Sequence, residues 1–175
     1  AKNEYNSGFA EIIKAAVLYD KEFFKKLLEY EKGSEFESED TLNIFLKSSL
    51  IKARICEADT KKKVSLLYGH SIGHAIERYK KTHLRHGDCV AIGMTIEGAM
   101  ACILGLWKKE EWKKQQEIIK KFNLPTKLPK YIDLEDLSKK MKLYKKLVNK
   151  ENYLFSLPIR IGEINNGYGT YLTPV

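Results

Sequence analysis

Apolar residues recur at helical spacing along most of the chain, in long stretches separated by short polar breaks. The first stretch covers about residues 7–30. Ile12, Ile13, Ala16, Val17, Phe23, Phe24, Leu27 and Leu28 form its stripe, and Gly33-Ser34 ends it. Ser38 is a candidate N-cap for a second helix, with Glu39 and Asp40 in the first turn, where carboxylates suit the helix dipole. Leu42, Phe45, Leu46, Leu50 and Ile51 carry that helix to about residue 58. A third helix is predicted over roughly residues 64–80 and a fourth over roughly 87–106. In the fourth, Ala91, Gly93, Gly98, Ala99 and Ala101 suit close helix packing. A fifth covers about residues 109–122. Leu124-Pro125-Thr126 and Leu128-Pro129 then break the chain. A short helix near residues 134–143, capped by Asp133, and an extended segment at 153–161 complete the pattern. No internal repeat is evident. The fold class this predicts is mostly α: a helical bundle with a short β tail.

Composition narrows the picture. A length of 175 residues suits one domain, or a domain and a half, and 43% hydrophobic content is enough for a sizeable core. No apolar run reaches the roughly 18 residues that span a bilayer. The opening residues AKNEYNSGF contain no apolar signal-peptide core. The expectation is a cytoplasmic protein with no membrane partner. Cys56, Cys89 and Cys102 are odd in number and sit in apolar, helix-like contexts, so they read as reduced core residues. The net charge of +8 comes from lysine runs at 61–63, 108–109, 113–114 and 120–121. Most alternate with apolar residues at helical spacing and read as solvated faces. Basicity also suits an anionic substrate. No nucleic-acid-binding signature accompanies it, so no nucleic-acid partner is expected.

The chemistry concentrates at the histidines. All four lie between His70 and His86. His70 and His74 are spaced i, i+4, which puts both imidazoles on one face of a helix. His86 begins the next apolar run, so two helices meeting there would bring a further imidazole to the same point. Three converging ligands with an open fourth position suit a catalytic zinc. His83, in the basic loop, reads as solvated.

The segment Gly69-His70-Ser71-Ile72-Gly73-His74-Ala75-Ile76-Glu77, followed by His86-Gly87-Asp88-Cys89-Val90-Ala91-Ile92-Gly93-Met94, resembles the metal-binding core of the dehydroquinate synthase family, the sugar phosphate cyclases. Far upstream, Gly8-Phe9-Ala10-Glu11-Ile12-Ile13-Lys14 resembles the family segment that supplies a carboxylate ligand and a substrate-contacting lysine. Asn123-Leu124-Pro125-Thr126 and the stretch from Phe155 to Gly162 are weaker matches. The resemblance implies Glu11, His70 and His86 as ligands of Zn2+ or Co2+. It implies His74 and Lys14 as catalytic residues, with Lys14, Lys52, Lys63, His74 and Lys145 contacting substrate, and Lys146 beside Lys145. It implies a phosphate-eliminating lyase that cyclises a phosphorylated sugar or keto acid, with 3-dehydroquinate synthase as the commonest such activity, and a homodimer at full length.

Three positions depart from the family pattern. Leu67 stands where asparagine is usual, Lys63 where an arginine binds the substrate carboxylate, and Tyr144 where an aspartate precedes two lysines. Leucine offers no hydrogen bond, and lysine lacks the bidentate fork of arginine. The Tyr68-Gly69-His70 sequence and the tail from Tyr171 to Val175 resemble 2-deoxy-scyllo-inosose synthases, which cyclise glucose 6-phosphate. A metal-dependent polyol dehydrogenase and a non-catalytic helical module are the remaining alternatives. The chain shows no Gly-rich strand-to-helix turn for a dinucleotide. The expectation is therefore that residues 1–175 form the C-terminal helical domain of a longer enzyme, and that NAD is bound mainly by an N-terminal α/β domain absent from this chain.

Overall fold

Asp20 divides the first predicted helix into α1 (Lys2–Tyr19) and α2 (Lys21–Glu29). Its backbone is extended, with φ −150° and ψ 95°, and its carboxylate accepts the Phe23 N–H at 2.8 Å. The Val17 carbonyl, which a continuous helix would give to residue 21, instead accepts the Gly162 N–H at 2.7 Å. The computed structural model describes residues 2–30, 38–57, 62–79, 82–142, 148–149, 152–164 and 170–172.

Helix α3 (Glu39–Glu57) begins as its sequence predicts, with Ser38 Oγ accepting the Thr41 N–H at 3.2 Å. Its buried face is Thr41, Ile44, Ser48 and Ile55, while Leu42, Leu46 and Leu50 point to solvent. The third predicted helix is two pieces: a 3-10 helix (Lys62–Leu67) and α4 (His70–Glu77). Gly69 separates them with φ 77°, a conformation that an α-helix cannot continue through. A side chain there would also meet the Val90 carbonyl oxygen at 2.8 Å, so glycine is required twice over.

Helix α5 (His86–Ile103) starts with the Asp88 carboxylate accepting the Arg85 N–H at 3.0 Å. It stops short of the predicted end because Gly105 turns the chain at φ 71°. Helices α6 (Lys109–Lys121) and α7 (Leu134–Lys142) follow, the latter with Asp133 Oδ1 accepting the Asp136 N–H at 2.9 Å. The extended tail forms two antiparallel units. Strands β1 (Val148–Asn149), β2 (Asn152–Phe155) and β5 (Thr170–Leu172) pair in the order β1-β2-β5, and β3 (Pro158–Arg160) pairs with β4 (Glu163–Ile164). Buried Ser156 and Leu157 divide the extended segment predicted there between β2 and β3.

The core gathers around α5, which is buried on nearly every side and packs against α1, α4 and α6. Phe9 stacks on Phe122 with centroids 3.9 Å apart and ties α1 to the end of α6. Cys89 is buried, but Cys102 is only half-buried and Cys56 is exposed, which corrects the expectation of three core thiols; all three are free. Lys108, Lys109, Lys113, Lys114 and Lys120 are solvated as expected. Lys121 departs, because its ammonium folds inward and donates to the Leu28 carbonyl. The side chains of the 61–63 run lie outside the described residues. Among the described residues, no helix is long and apolar enough to cross a membrane.

Candidate metal centre

Three helices meet where the sequence concentrates its histidines. Helix α1 contributes Glu11 and Lys14, one turn apart. Helix α4 contributes His70, its first residue, and His74 one turn later, and the first residue of α5 contributes His86. Glycines set the spacing. A Cβ on Gly93 would overlap the Gly69 carbonyl, one on Gly73 would press the Cys89 carbonyl at 3.1 Å, and one on Gly87 would overlap the Ser7 carbonyl. The Gly87 N–H donates to Ser7 Oγ at 3.0 Å and pins the start of α5 to α1.

Glu11 Oε1 lies 3.4 Å from His70 Nε2 and 3.7 Å from His86 Nε2. It is buried and accepts no hydrogen bond. Ligands about 2.0–2.1 Å from a tetrahedral zinc lie about 3.3–3.4 Å from one another. One oxygen and two imidazole nitrogens, all within 4.8 Å of each other, therefore fit a divalent ion such as zinc or cobalt.

The far nitrogens of both rings support that fit. His86 Nδ1 is 2.6 Å from Glu77 Oε1, and His70 Nδ1 is 3.2 Å from the Tyr68 carbonyl. With Nδ1–H donated to these acceptors, each ring turns an Nε2 lone pair toward Glu11. Burial pushes the His70 pKa down to about 4, the Lys14 charge adds to this, and Glu11 opposes it. His70 is therefore neutral at physiological pH, as a metal ligand must be. Burial works against ionisation of Glu11, but Lys14, His70 and Lys52 together hold its carboxyl below the ordinary value.

Lys14 is almost fully buried, and burial lowers its pKa against the pull of Glu11. Its ammonium pairs with Glu11 Oε2 at 2.9 Å, donates to the Leu66 carbonyl at 3.0 Å and stands 3.4 Å from His70 Nδ1. The Tyr68 carbonyl is the closer partner of that nitrogen. The exposed Lys52 reaches within 3.9 Å of Glu11 Oε2. His74 stacks edge-on against His70 at 5.0 Å, and its pKa is lowered, chiefly by burial. The lining of a small cavity includes Glu11, Lys14, Ser48, Lys52 and Leu66. His83 is exposed. The side chain of Lys63, and all of Tyr144, Lys145 and Lys146, lie outside the described residues.

Glu77, at the site, and Glu97, buried against the start of α4, are residues that sequence reasoning did not single out. Glu77 shares the helix face of His70 and His74, at i+7 and i+3, which was a readable signal. With His74 and His86 it also makes a second set whose donor atoms lie within 4.8 Å. Glu97 is a lone acid in an apolar run, between Ile96 and Gly98.

The sequence pattern of a protein family, 3-dehydroquinate synthase C-terminal, matches residues 8–147. A 3-dehydroquinate synthase of Nostoc punctiforme (strain ATCC 29133 / PCC 73102) is 37% identical over 173 residues, covering 92% of this chain and 46% of that protein. One of Helicobacter hepaticus (strain ATCC 51449 / 3B1) is 37% identical over 169 residues, covering 94% and 47%. The chain thus spans about half the length of the curated relatives it matches. Among solved structures, the 2-epi-5-epi-valiolone synthase ValA of Streptomyces hygroscopicus subsp. jinggangensis 5008, with NAD+ and Zn2+ bound, matches with a TM-score of 0.79 at 19% identity, covering 99% of this chain and 48% of that one. A 2-deoxy-scyllo-inosose synthase complexed with carbaglucose-6-phosphate, NAD+ and Co2+ matches with a TM-score of 0.72 at 18% identity, covering 99% and 50%. At these identities the structures share the fold.

Proposed function

Because the chain belongs to the 3-dehydroquinate synthase family, through that family's C-terminal domain, we propose that it is the metal- and substrate-binding half of a sugar phosphate cyclase. The reaction proposed is that of 3-dehydroquinate synthase: phosphate elimination from, and ring closure of, a seven-carbon 2-keto acid phosphate. The observation that carries the reading is the orphaned Glu11 Oε1, buried between the Nε2 atoms of His70 and His86. A buried acidic oxygen beside two imidazole nitrogens accepts no hydrogen bond within the protein, and a divalent cation would satisfy all three.

In this reading Glu11, His70 and His86 hold Zn2+ or Co2+. The bound metal would polarise a substrate carbonyl, and NAD would take and return the hydride. The described sheets are small and antiparallel and offer no dinucleotide turn, so NAD is assigned to an N-terminal α/β domain outside this chain. The residues of this chain bind and orient. The buried ammonium of Lys14, held beside Glu11, presents a fixed positive charge at the floor of the site. Lys52, on the open side, attracts the substrate phosphate or hydroxyls. His74, kept neutral by burial, can receive a proton on the phosphate side and return it. Lys63 and Lys145 are assigned to the substrate carboxylate and phosphate. The assembly proposed is a cytoplasmic homodimer.

The Tyr68-Gly69-His70 sequence and the tail from Tyr171 to Val175, which resemble 2-deoxy-scyllo-inosose synthases, favour a second reading with glucose 6-phosphate as substrate. Leu67 separates neither reading, because its side chain offers no hydrogen bond where dehydroquinate synthases usually carry asparagine and inosose synthases glutamate. The full-length enzyme, loaded with metal and NAD, should be offered both substrates. Turnover of the keto acid phosphate, weakened by Lys63→Ala, is the expected result. Turnover of glucose 6-phosphate alone moves the assignment to the second reading. Turnover of neither, or protein that holds no divalent ion in metal analysis, overturns the proposal.

A further inference from the structure

Glu97 is fully buried, and nothing in the site just described uses it. It lies on α5 about three turns beyond His86. One carboxyl oxygen accepts the Gly69 N–H at 2.7 Å, and the other accepts the Ile72 N–H at 3.2 Å. The Ser71 N–H adds to the same cradle. These amides belong to the first turn of α4, where backbone donors have no partner within the helix. Helices usually meet that need with a side chain at the N-cap itself. Here the N-cap is Gly69, which has no side chain, and close contact with Val90 and Met94 leaves no room for one. The cap therefore comes from another helix.

That source has a consequence for the metal centre. The capped amides bracket His70 on both sides in sequence. The helix that supplies the cap is the one that begins with His86. One carboxyl therefore fixes the turn bearing one imidazole to the helix bearing the other. Resting on the metal-site reading above, we infer that Glu97 is a positioning residue that sets the His70 imidazole relative to His86 and Glu11, and so sets the grip on the metal. The costs point the same way. Burial pushes the Glu97 pKa up to about 8 in spite of the amides and Lys14. An apolar residue would avoid that burial, but it would leave the α4 donors unpaired beside the site.

The test is cobalt binding by the purified protein, read by visible absorption and by competition with a chelator. Circular dichroism serves as the control for folding. Glu97→Gln keeps one acceptor, and Glu97→Met keeps the bulk but neither acceptor. The expected result is a loss of cobalt affinity of about tenfold for Gln and nearer 100-fold for Met, the range typical of groups that orient metal ligands, with an altered cobalt spectrum in a folded protein. Folded variants with wild-type affinity and spectrum, even at a lowered melting temperature, overturn the inference and leave Glu97 a helix cap. Should neither variant fold, the wild type carries the test. Coupling is reciprocal, so cobalt should slow hydrogen exchange at the Gly69 and Ile72 amides by tenfold or more, and unchanged exchange overturns the inference. A wild type that binds no cobalt, or a Glu11→Gln variant that binds as well as wild type, sinks the metal-site reading itself and this inference with it.

Discussion

His86 stands between two carboxylates, with Nδ1 at Glu77 and Nε2 toward Glu11. Glu77 thereby fixes which nitrogen keeps the proton, and a weaker acceptor would fix it less well. Glu77→Gln should lower metal affinity about tenfold, measured by chelator competition, and should barely change the melting temperature of the metal-free protein. Glu97 gives a different signature. Its folded pKa of about 8 lies above the ordinary 4.5. Its stabilising contribution is complete below the ordinary value and is lost as pH rises through the folded one. Metal-free wild type should therefore lose more thermal stability between about pH 5 and pH 8 than Glu97→Gln does, and parallel melting curves would refute this. Glu11, His70 and His86 were legible because their motifs are short and ordered along the chain. The pairing of Glu77 with His86 was not, because that contact exists only once α4 and α5 pack together.

At the scale of elements, hydrophobic period found the helices but missed two breaks, at Asp20 and Gly69. The reason is physical. Helices α1 and α2 face the same core, and Tyr68, just before Gly69, joins Ile72, Ala75 and Ile76 in it, so the apolar stripe runs on across both breaks. The punctuation lies in backbone demands instead: a cap at Asp20, and a left-handed turn at Gly69 under the weight of α5. Period also misplaced Leu42, Leu46 and Leu50, which share a stripe that faces outward. Close helix contact yields a sharper expectation. A Cβ at Gly93 must displace the Gly69 carbonyl, whereas one at Gly105 meets nothing within 4 Å. Gly93→Ala should cost about 3 kcal/mol in urea unfolding and weaken metal binding as well, because it pushes α4 off α5. Gly105→Ala should cost about 1 kcal/mol, from its positive φ alone, and leave metal binding intact.

For the whole molecule, the mostly α fold with a short β tail was legible in the sequence, and the family match and solved structures agree with it. The tail's division into two small sheets was not, because strand pairing depends on partners that local sequence does not name. The division of labour proposed with an N-terminal domain has a direct check. Calorimetry of the 175-residue chain with NAD should show no binding, and tight binding would end the two-domain reading.

The hydrogen bond from Gly87 to Ser7 closes a loop of 80 residues. During synthesis, at roughly 5–20 residues per second, α1 emerges several seconds before its partner turn exists. Until the two meet, the chain can offer an ion two imidazoles but not the carboxylate of Glu11, a poor trap for zinc or cobalt. Capture of the ion then becomes a clock for the last stage of folding. In a refolding experiment with cobalt present, the visible colour should trail the recovery of helix, because the local helices form first and the long loop closes after them.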